Sequence, residues 1–138
     1  MTPFRLETID HVVIRALDAA RLVEFYVEAL GCKLVWDRPE LGLTHLRAGT
    51  AMLDIVSIDG PLGSRHQAGG PGRNVDHLCL RIAPFDFDSL KAHFGTFGIA
   101  VEPPRSRFGA LGYGLSIYLA DPEGNGIELK EDLCKEQA

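Results

Sequence analysis

Two similar stretches of the sequence each carry a histidine at the same place. His11 lies in Ile-Asp-His-Val-Val-Ile-Arg (residues 9–15), and His77 lies in Val-Asp-His-Leu-Cys-Leu-Arg (residues 75–81). The alternation of side chains is typical of a β-strand, in which every second side chain shares one face. We therefore expect the apolar residues of each stretch to pack on a helix. Both histidines should then point to the opposite, concave face.

Each half of the chain also has an acidic residue in a later apolar strand. Asp54 lies in Met-Leu-Asp-Ile-Val (residues 52–56), and Glu128 lies in Gly-Ile-Glu-Leu-Lys (residues 126–130). Alternation directs the two carboxylates away from the core, toward the face of the histidines. Two imidazoles and two carboxylates suit a divalent ion such as Zn, Fe, Mn, Ni or Co. A single histidine in a strand is more often structural, so the metal-site interpretation depends on the repeat.

A helix is predicted after the histidine strand in both halves. Asp18 precedes an apolar stripe that ends at Gly31, and Asp86 or Asp88 precedes a stripe that ends at Gly98. Aspartate is favoured at a helix N-cap because its carboxylate accepts unpaired backbone N–H groups. Glycine tolerates the left-handed conformation just after a helix. The caps therefore delimit one helix in each half.

Short extended runs follow each predicted helix and are separated by turn residues. The predicted strands are Lys33–Trp36, Leu43–Arg47, Ala51–Ile58, Ile99–Val101, Leu115–Leu119 and Gly126–Lys130. Together with the histidine strands they give each half the order strand-helix-strand-strand-strand.

The repeat predicts an α+β fold of two βαβββ modules, residues 5–58 and 75–132, within a single domain spanning residues 1–138. Their eight strands are expected to form a curved sheet around a metal-binding cavity. Residues 59–74 are rich in Gly and Pro and are predicted to link the modules, and residues 103–114 are predicted to form a loop. Whether the modules pair within one chain or between two chains stays open, and a homodimer is expected.

Composition and charge exclude several classes of partner. Hydrophobic residues make up 46% of the chain and charged residues 24%, as in soluble globular domains. The net charge of −5 argues against nucleic acid, because phosphate contacts need a basic surface. No apolar run is long enough to span a membrane, and no signal region opens the chain, so a cytoplasmic protein without a membrane partner is expected.

The three cysteines, Cys32, Cys79 and Cys134, do not form a C-x-x-C motif. Their odd number argues against a disulfide framework or a zinc ribbon. We expect Cys32 and Cys79 to be buried thiols and Cys134, in a polar tail, to be exposed.

Other short motifs do not define a site. The run Gly109–Gly114 reads G-x-x-G-x-G, which is not the dinucleotide fingerprint, and no P-loop or G-x-S-x-G is present. His45 and His66 have no carboxylate neighbour in the sequence. They are therefore expected at the surface or at the rim of the cavity.

The chain resembles the vicinal oxygen chelate superfamily, which includes glyoxalase I, extradiol dioxygenases, fosfomycin-resistance enzymes and bleomycin-binding proteins. The resemblance is carried by the two Asp-His strands, by Phe-Tyr and Leu-Gly of the first helix, and by Asp-Pro-Glu-Gly-Asn before Ile-Glu-Leu. It implies metal ligands at His11, His77 and Glu128. It places Asp54 where glyoxalase-type members have a fourth ligand, usually Glu. Asp is one methylene shorter, so a water bridge is the alternative to direct coordination.

The resemblance also bears on the substrate. Arg73 matches an arginine that holds glutathione in glyoxalase I. However, Glu28 stands where a second such arginine is expected, and this reversed charge would repel a glutathione carboxylate. Arg105 and Arg107 are candidates for binding an anionic small-molecule substrate, with a solvated loop as the favoured alternative, and Tyr113 is a candidate for lining the pocket.

Three functions are consistent with these residues. The leading hypothesis is a metal-dependent lyase or isomerase whose substrate chelates the ion through adjacent oxygens, with Glu128 as the catalytic base and Asp54 as the alternative base. The second is an Fe(II) dioxygenase in which Tyr113 and Phe108 line the pocket. The third is a metal-free ligand-binding protein similar to the bleomycin-resistance proteins.

Overall fold

The computed structural model describes residues 2–3, 5–65 and 73–135 of the chain. The chain divides into two compact units, Met1–Ala68 and Gly69–Ala138. His66 and part of the predicted linker lie outside the described residues. No helix in the described ranges is long and apolar enough to cross a membrane.

The first unit has one helix and four strands. Their bounds are β1 His11–Ala16, α1 Ala19–Glu28, β2 Lys33–Arg38, β3 Leu43–Ala48 and β4 Ala51–Ser57. The strands form a mixed sheet in the order β1-β4-β3-β2, in which β1 and β4 are parallel and the other neighbours are antiparallel. Short 3-10 turns at Pro39–Leu41 and Gly63–Arg65 complete the described part of the unit.

The second unit repeats this plan. Its elements are β5 His77–Ile82, α2 Phe87–Gly95, β6 Arg105–Gly109, β7 Gly112–Ala120 and β8 Gly126–Glu131. The sheet order is β5-β8-β7-β6, again with the first pair parallel and the others antiparallel. The predicted α+β class with two βαβββ modules is therefore confirmed. That the eight strands enclose one cavity stays a prediction.

The predicted caps start both helices. The Asp18 carboxylate accepts a hydrogen bond from the backbone N–H of Arg21 at 3.1 Å, and the Asp86 carboxylate accepts one from the N–H of Ser89 at 3.3 Å. Of the two aspartates considered for α2, Asp86 is thus the cap. Gly31 adopts a φ of +76°, the left-handed conformation expected after the first helix.

One face of each sheet is covered by its own helix. The buried residues of α1 are Leu22, Phe25 and Tyr26. Leu53 and Ile55 of β4 are also buried, as alternation predicts. Burying side chains of this size stabilises the folded state by about 1.5–3 kcal/mol each. The residues that alternate with them point to the opposite face of the sheet.

In the second unit the buried apolar side chains come from the same elements. Ile127 and Leu129 of β8 are buried, as are Ile117 of β7 and Phe94 of α2. The predicted stripe extends to Gly98, but α2 ends at Gly95, and Phe97 beyond it is 43% exposed.

One strand prediction and one loop prediction in the second half are wrong. Ile99–Val101 forms no strand, and β6 instead occupies Arg105–Gly109 within the predicted loop. The glycines that indicated a loop have a packing role, because the Lys130 side chain crosses the sheet beneath them. A Cβ on Gly109 would lie 2.7 Å from Lys130 Cε, and one on Gly114 would lie 3.3 Å from Lys130 Nζ.

The cysteine predictions are confirmed at two positions and wrong at one. Cys32 is buried and Cys134 is exposed. Cys79 is exposed, because its side chain lies on the face of β5 that the helix does not cover.

Candidate functional site

His11 is the first residue of β1, and its ring is oriented by the preceding aspartate. Nδ1 of His11 lies 2.7 Å from Oδ1 of Asp10. This hydrogen bond raises the pKa of His11 above its usual value. Desolvation lowers the pKa, and the negative charge of Asp54 raises it further, so the net shift is upward. When Nδ1–H donates to a carboxylate, Nε2 carries the lone pair. His11 is therefore arranged to present Nε2 to a ligand.

His77 has the same arrangement in the second unit. Its Nδ1 lies 2.7 Å from Oδ2 of Asp76, and its Nε2 lies 3.1 Å from Oε1 of Glu128. The carboxylates of Asp10 and Asp76 thus each pair with the adjacent imidazole. Metal-binding histidines commonly have such a carboxylate partner, which fixes the ring and its tautomer.

Asp54 is buried on the face of β4 that adjoins His11, and only one of its two carboxylate oxygens has a hydrogen-bond partner among the described residues. Nδ1 of His45 donates a hydrogen bond to its Oδ2 at 3.0 Å. The other oxygen, Oδ1, is buried without a hydrogen-bond partner among the described residues. A buried acceptor left unpaired costs about 1–3 kcal/mol. Asp54 thus has one oxygen available to a ligand, which fits a cation.

His45 belongs to this group, which the sequence did not reveal. The sequence predicts a surface or rim residue without a carboxylate neighbour, but the His45 side chain is 17% exposed and binds Asp54. The available signal was hairpin symmetry, because His45 and Asp54 stand four residues before Gly49 and four residues after Thr50. A tight turn at that point makes the two residues cross-strand neighbours, as observed.

A pocket of about 530 Å³ lies on this face of the first unit. Its walls combine apolar side chains with imidazole, guanidinium and carboxylate groups. The lining residues are His11, Val13, Arg15, Leu43, His45, Asp54, Val56, Leu62 and Gly63. Such a mixture of apolar walls and a few polar groups is typical of small-molecule sites.

Glu128 is the buried acid of the second unit. The hydroxyl of Tyr118 donates a hydrogen bond to Glu128 Oε1 at 3.0 Å. Burial by itself raises the pKa of Glu128, but hydrogen bonds from Ser116 and Tyr118 and the proximity of His77 outweigh it, so the pKa is lowered overall. The pKa of Tyr118 is raised by desolvation and by the same contact. Glu128 is therefore an ionised carboxylate at neutral pH.

The two arginines of β6 lie on the same sheet face as Glu128. Arg107 donates from Nη1 to the carbonyl oxygen of Ser116 at 2.8 Å and to its hydroxyl at 3.0 Å. Its guanidinium lies 4.6 Å from the centre of the Tyr118 ring. Arg105 is exposed and pairs with Ser116 across the ladder. A positive charge thus stands beside the tyrosine that binds Glu128.

The structure does not bring Arg73 or Tyr113 to this group. Arg73 donates to the side-chain oxygen of Asn125 at 2.6 Å and to the carbonyl of Glu123 at 2.5 Å, so it fastens a turn. Tyr113 packs against Phe108 with ring centres 5.2 Å apart. The register of β7 places Tyr113 on the opposite face from Tyr118.

The strand registers show that the two units place their polar groups equivalently. Asp54 is opposite Val13, two residues after His11, and Glu128 is opposite Cys79, two residues after His77. The third strand adds a hydrogen-bonding partner in each case, His45 in the first unit and Tyr118 in the second.

Each unit therefore supplies one oriented imidazole, one buried carboxylate and a partner that holds the carboxylate. Within the described part of the chain, no three His, Cys, Asp or Glu side chains are grouped closely enough to hold a metal ion. That the His11–Asp54 pair and the His77–Glu128 pair share one metal ion is therefore a proposal.

Paired βαβββ units with histidine and acid at equivalent positions define a class of protein, and a comparison of families identifies it. Residues 8–129 match the Glyoxalase/Bleomycin resistance protein/Dioxygenase superfamily. The chain belongs to this superfamily, as the sequence resemblance indicated.

Individual members of known structure are similar over nearly the whole chain. Virulence protein STM3117 of Salmonella typhimurium is 30% identical over 128 residues, which cover 91% of this chain and 85% of the relative. Its crystal structure aligns with a TM-score of 0.77 over 94% of this chain and 100% of that chain, at 26% identity.

Lactoylglutathione lyase of Agrobacterium tumefaciens aligns with a TM-score of 0.67 at 26% identity, over 94% of this chain and 96% of that chain. A variant of the fosfomycin resistance protein FosX of Listeria monocytogenes, complexed with Mn(II) and a dihydroxypropylphosphonic acid, aligns with a TM-score of 0.68. It covers 94% of both chains at 17% identity, which shows a common fold.

Proposed function

We propose that this protein is a metal-dependent enzyme of the lyase or isomerase type, whose substrate is a small molecule that chelates the ion through adjacent oxygens. The observation that carries the proposal is the repeated pairing of an aspartate-oriented histidine with a buried carboxylate. His11 and His77 are each fixed through Nδ1 by the preceding aspartate. Asp54 and Glu128 lie at equivalent register positions.

The proposed ligands are His11, His77 and Glu128, with Asp54 as the fourth. Two imidazole nitrogens with carboxylate oxygens suit Zn, Fe, Mn, Ni or Co and leave positions for substrate. The unpartnered Oδ1 of Asp54 supports this fit. When bound, such an ion supplies Lewis-acid polarisation of the chelating oxygens. The FosX variant of the same fold is complexed with Mn(II), which is consistent with a site for a divalent ion here.

Glu128 is the proposed base. Its lowered pKa keeps it deprotonated at neutral pH, so it can accept a proton from the carbon next to a chelating oxygen. The hydrogen bond from Tyr118 fixes the carboxylate while leaving it ionised. The apolar neighbours Ile127 and Leu129 are buried on the opposite side and hold β8 in place.

Arg107, with Arg105 on the same face, is proposed to bind an anionic group of the substrate. Its Nη1 is used by Ser116, and the guanidinium stays close to Tyr118. A carboxylate or phosphonate bound there would lie near the catalytic pair. Neither Arg73 nor Tyr113 enters this proposal, because the first fastens the turn at Asn125 and the second lies on the other sheet face.

The dioxygenase alternative loses one of its supports. It required Phe108 and Tyr113 to line the substrate pocket, but these two rings pack together on the sheet face opposite Glu128. Metal analysis distinguishes the third alternative, a metal-free binding protein, from the proposed enzyme, because only the enzyme is expected to retain an ion. A homodimer in the cytoplasm remains the expected setting.

The test combines metal analysis with proton exchange. Protein loaded with each of the five ions in turn is incubated in D₂O with small α-hydroxycarbonyl compounds, and deuterium incorporation is followed by NMR. We expect exchange only with bound metal, and a loss of about 100-fold or more in Glu128→Gln. Glu123→Gln, in the surface turn, is the matched control. Full exchange by Glu128→Gln refutes the assigned base, and protein that retains no ion refutes the metal-dependent function.

A further inference from the structure

The carboxylate of Asp54 is held by a residue outside the proposed ligand set. His45 lies directly opposite Asp54 in the β3–β4 ladder and donates from Nδ1 to Oδ2 at 3.0 Å. This leaves Oδ1, which is buried and has no other partner within the described residues. The carboxylate is thus divided into one oxygen bound by protein and one available oxygen.

The ring of His45 is itself held in place. It stacks on Trp36, the residue opposite it in β2, with ring centres 5.9 Å apart and planes inclined by 28°. The guanidinium of Arg38 lies 4.0 Å from the centre of the Trp36 ring. Stacking limits rotation of the imidazole, so Nδ1 stays directed at Asp54.

Both buried acids have a hydrogen-bonding partner, and they differ in side-chain length. The equivalent acid of the second unit is Glu128, which has one more methylene and is held by Tyr118 at 3.0 Å. A shorter carboxylate reaches less far from its strand, so its orientation matters more. A hydrogen bond that binds Oδ2 directs Oδ1 and reduces the freedom lost when a ligand binds.

We propose that His45 is a positioning residue for Asp54. His45 holds the carboxylate of Asp54 so that its Oδ1 serves as a single-oxygen ligand for a divalent cation beside His11. The inference rests on the proposed metal-dependent function and extends it to a residue outside the ligand set. Both His45 and Asp54 line the pocket of the first unit together with His11. A purely structural role for His45 is the competing explanation, and it predicts effects on stability alone.

The experiment measures Mn(II) binding to metal-stripped protein by the EPR signal of the free ion, with thermal unfolding of the metal-free proteins recorded in parallel. His45→Phe keeps an aromatic ring next to Trp36 but removes the donor. His45→Asn keeps a donor near the place of Nδ1. Asp54→Asn removes the charge, and His93→Phe on α2 is the matched control, outside the proposed ligand set.

We expect His45→Phe and Asp54→Asn to weaken Mn(II) binding by about 10- to 100-fold, and His45→Asn to stay within about threefold of the unchanged protein. Equal binding by His45→Phe and the unchanged protein overturns the positioning role and leaves the metal function standing. Binding by His45→Asn as weak as by His45→Phe also overturns it, because the ring rather than the donor then matters. No binding by the unchanged protein refutes the proposed function itself.

Discussion

The contact between Gly109 and Lys130 gives a quantitative test of the strand that sequence reasoning missed. Lys130 is a buried lysine whose Nζ donates to the carbonyl of Gly114 at 3.0 Å and to the carbonyl of Arg107. Its stem therefore cannot move freely away from β6. A Cβ on Gly109 would lie 2.7 Å from Cε and 3.1 Å from Cδ of this side chain.

Gly109→Ala should destabilise the protein through this overlap. Overpacking of a filled site costs about 1–3 kcal/mol. Without the lysine, Gly→Ala at a permitted conformation stabilises by about 0.4–1 kcal/mol, because the unfolded chain loses freedom. The effect of Gly109→Ala on the free energy of unfolding should therefore change sign in a Lys130→Ala background. The two effects differ by roughly 1.4–4 kcal/mol, which is the expected coupling energy of the double-mutant cycle.

The assay is urea unfolding of the four proteins of the cycle, followed by circular dichroism. Lys130→Ala alone should cost about 1–3 kcal/mol, because two carbonyls lose a buried donor. Gly95→Ala is the matched control, since a Cβ there meets no atom within 4 Å, and it should behave equally in both backgrounds. A cost for Gly109→Ala that is the same with and without Lys130 would falsify the packing explanation of β6.

Three further predictions concern single groups. Asp18→Ala should lower the free energy of unfolding by about 1 kcal/mol through loss of the α1 cap, as measured by urea unfolding, and an unchanged midpoint would contradict the cap. Tyr118→Phe should raise the pKa of Glu128 in metal-free protein, as measured by carboxyl NMR, because the ionised carboxylate loses a hydrogen bond that favours it. Since folding lowers this pKa, the stability that Glu128 contributes is present above its unfolded pKa and lost as pH falls, and this acid dependence should shrink in Tyr118→Phe. Cys79 should react with a thiol reagent in native protein while Cys32 reacts only on unfolding; equal rates would contradict their different exposure.

Much of the fold could be predicted because its signals are local. The Asp18 and Asp86 caps start the two helices where the sequence indicated. Alternation in β4 and β8 correctly places Asp54 and Glu128 on the sheet faces of His11 and His77, because the period of a strand is two residues, but it did not indicate that both carboxylates are buried. The superfamily was indicated by the resemblance of the motifs around His11, His77 and Glu128 to those of its members.

The predictions from sequence were wrong where the role of a residue depends on contacts with residues far away in the sequence. Gly109 and Gly114 indicate a loop when taken alone, yet they belong to the β6–β7 hairpin. The space beside Gly109 is taken by Lys130, and the space beside Gly114 by Glu131, Leu133 and Lys130. Tyr113 was taken for a pocket residue, but the register of that hairpin places it on the sheet face opposite Tyr118.

By itself, the sequence determined which residue types recur and which face of each strand they occupy, because capping and alternation act within a few residues. Only the tertiary structure decided which atoms meet. The bond from His45 to Asp54, the bond from Tyr118 to Glu128 and the fastening of Arg73 to the turn at Asn125 all depend on register or long-range packing. Chain segments far apart in sequence acquire these partners when the sheet forms, since hydrogen bonds between side chains act over about 3 Å.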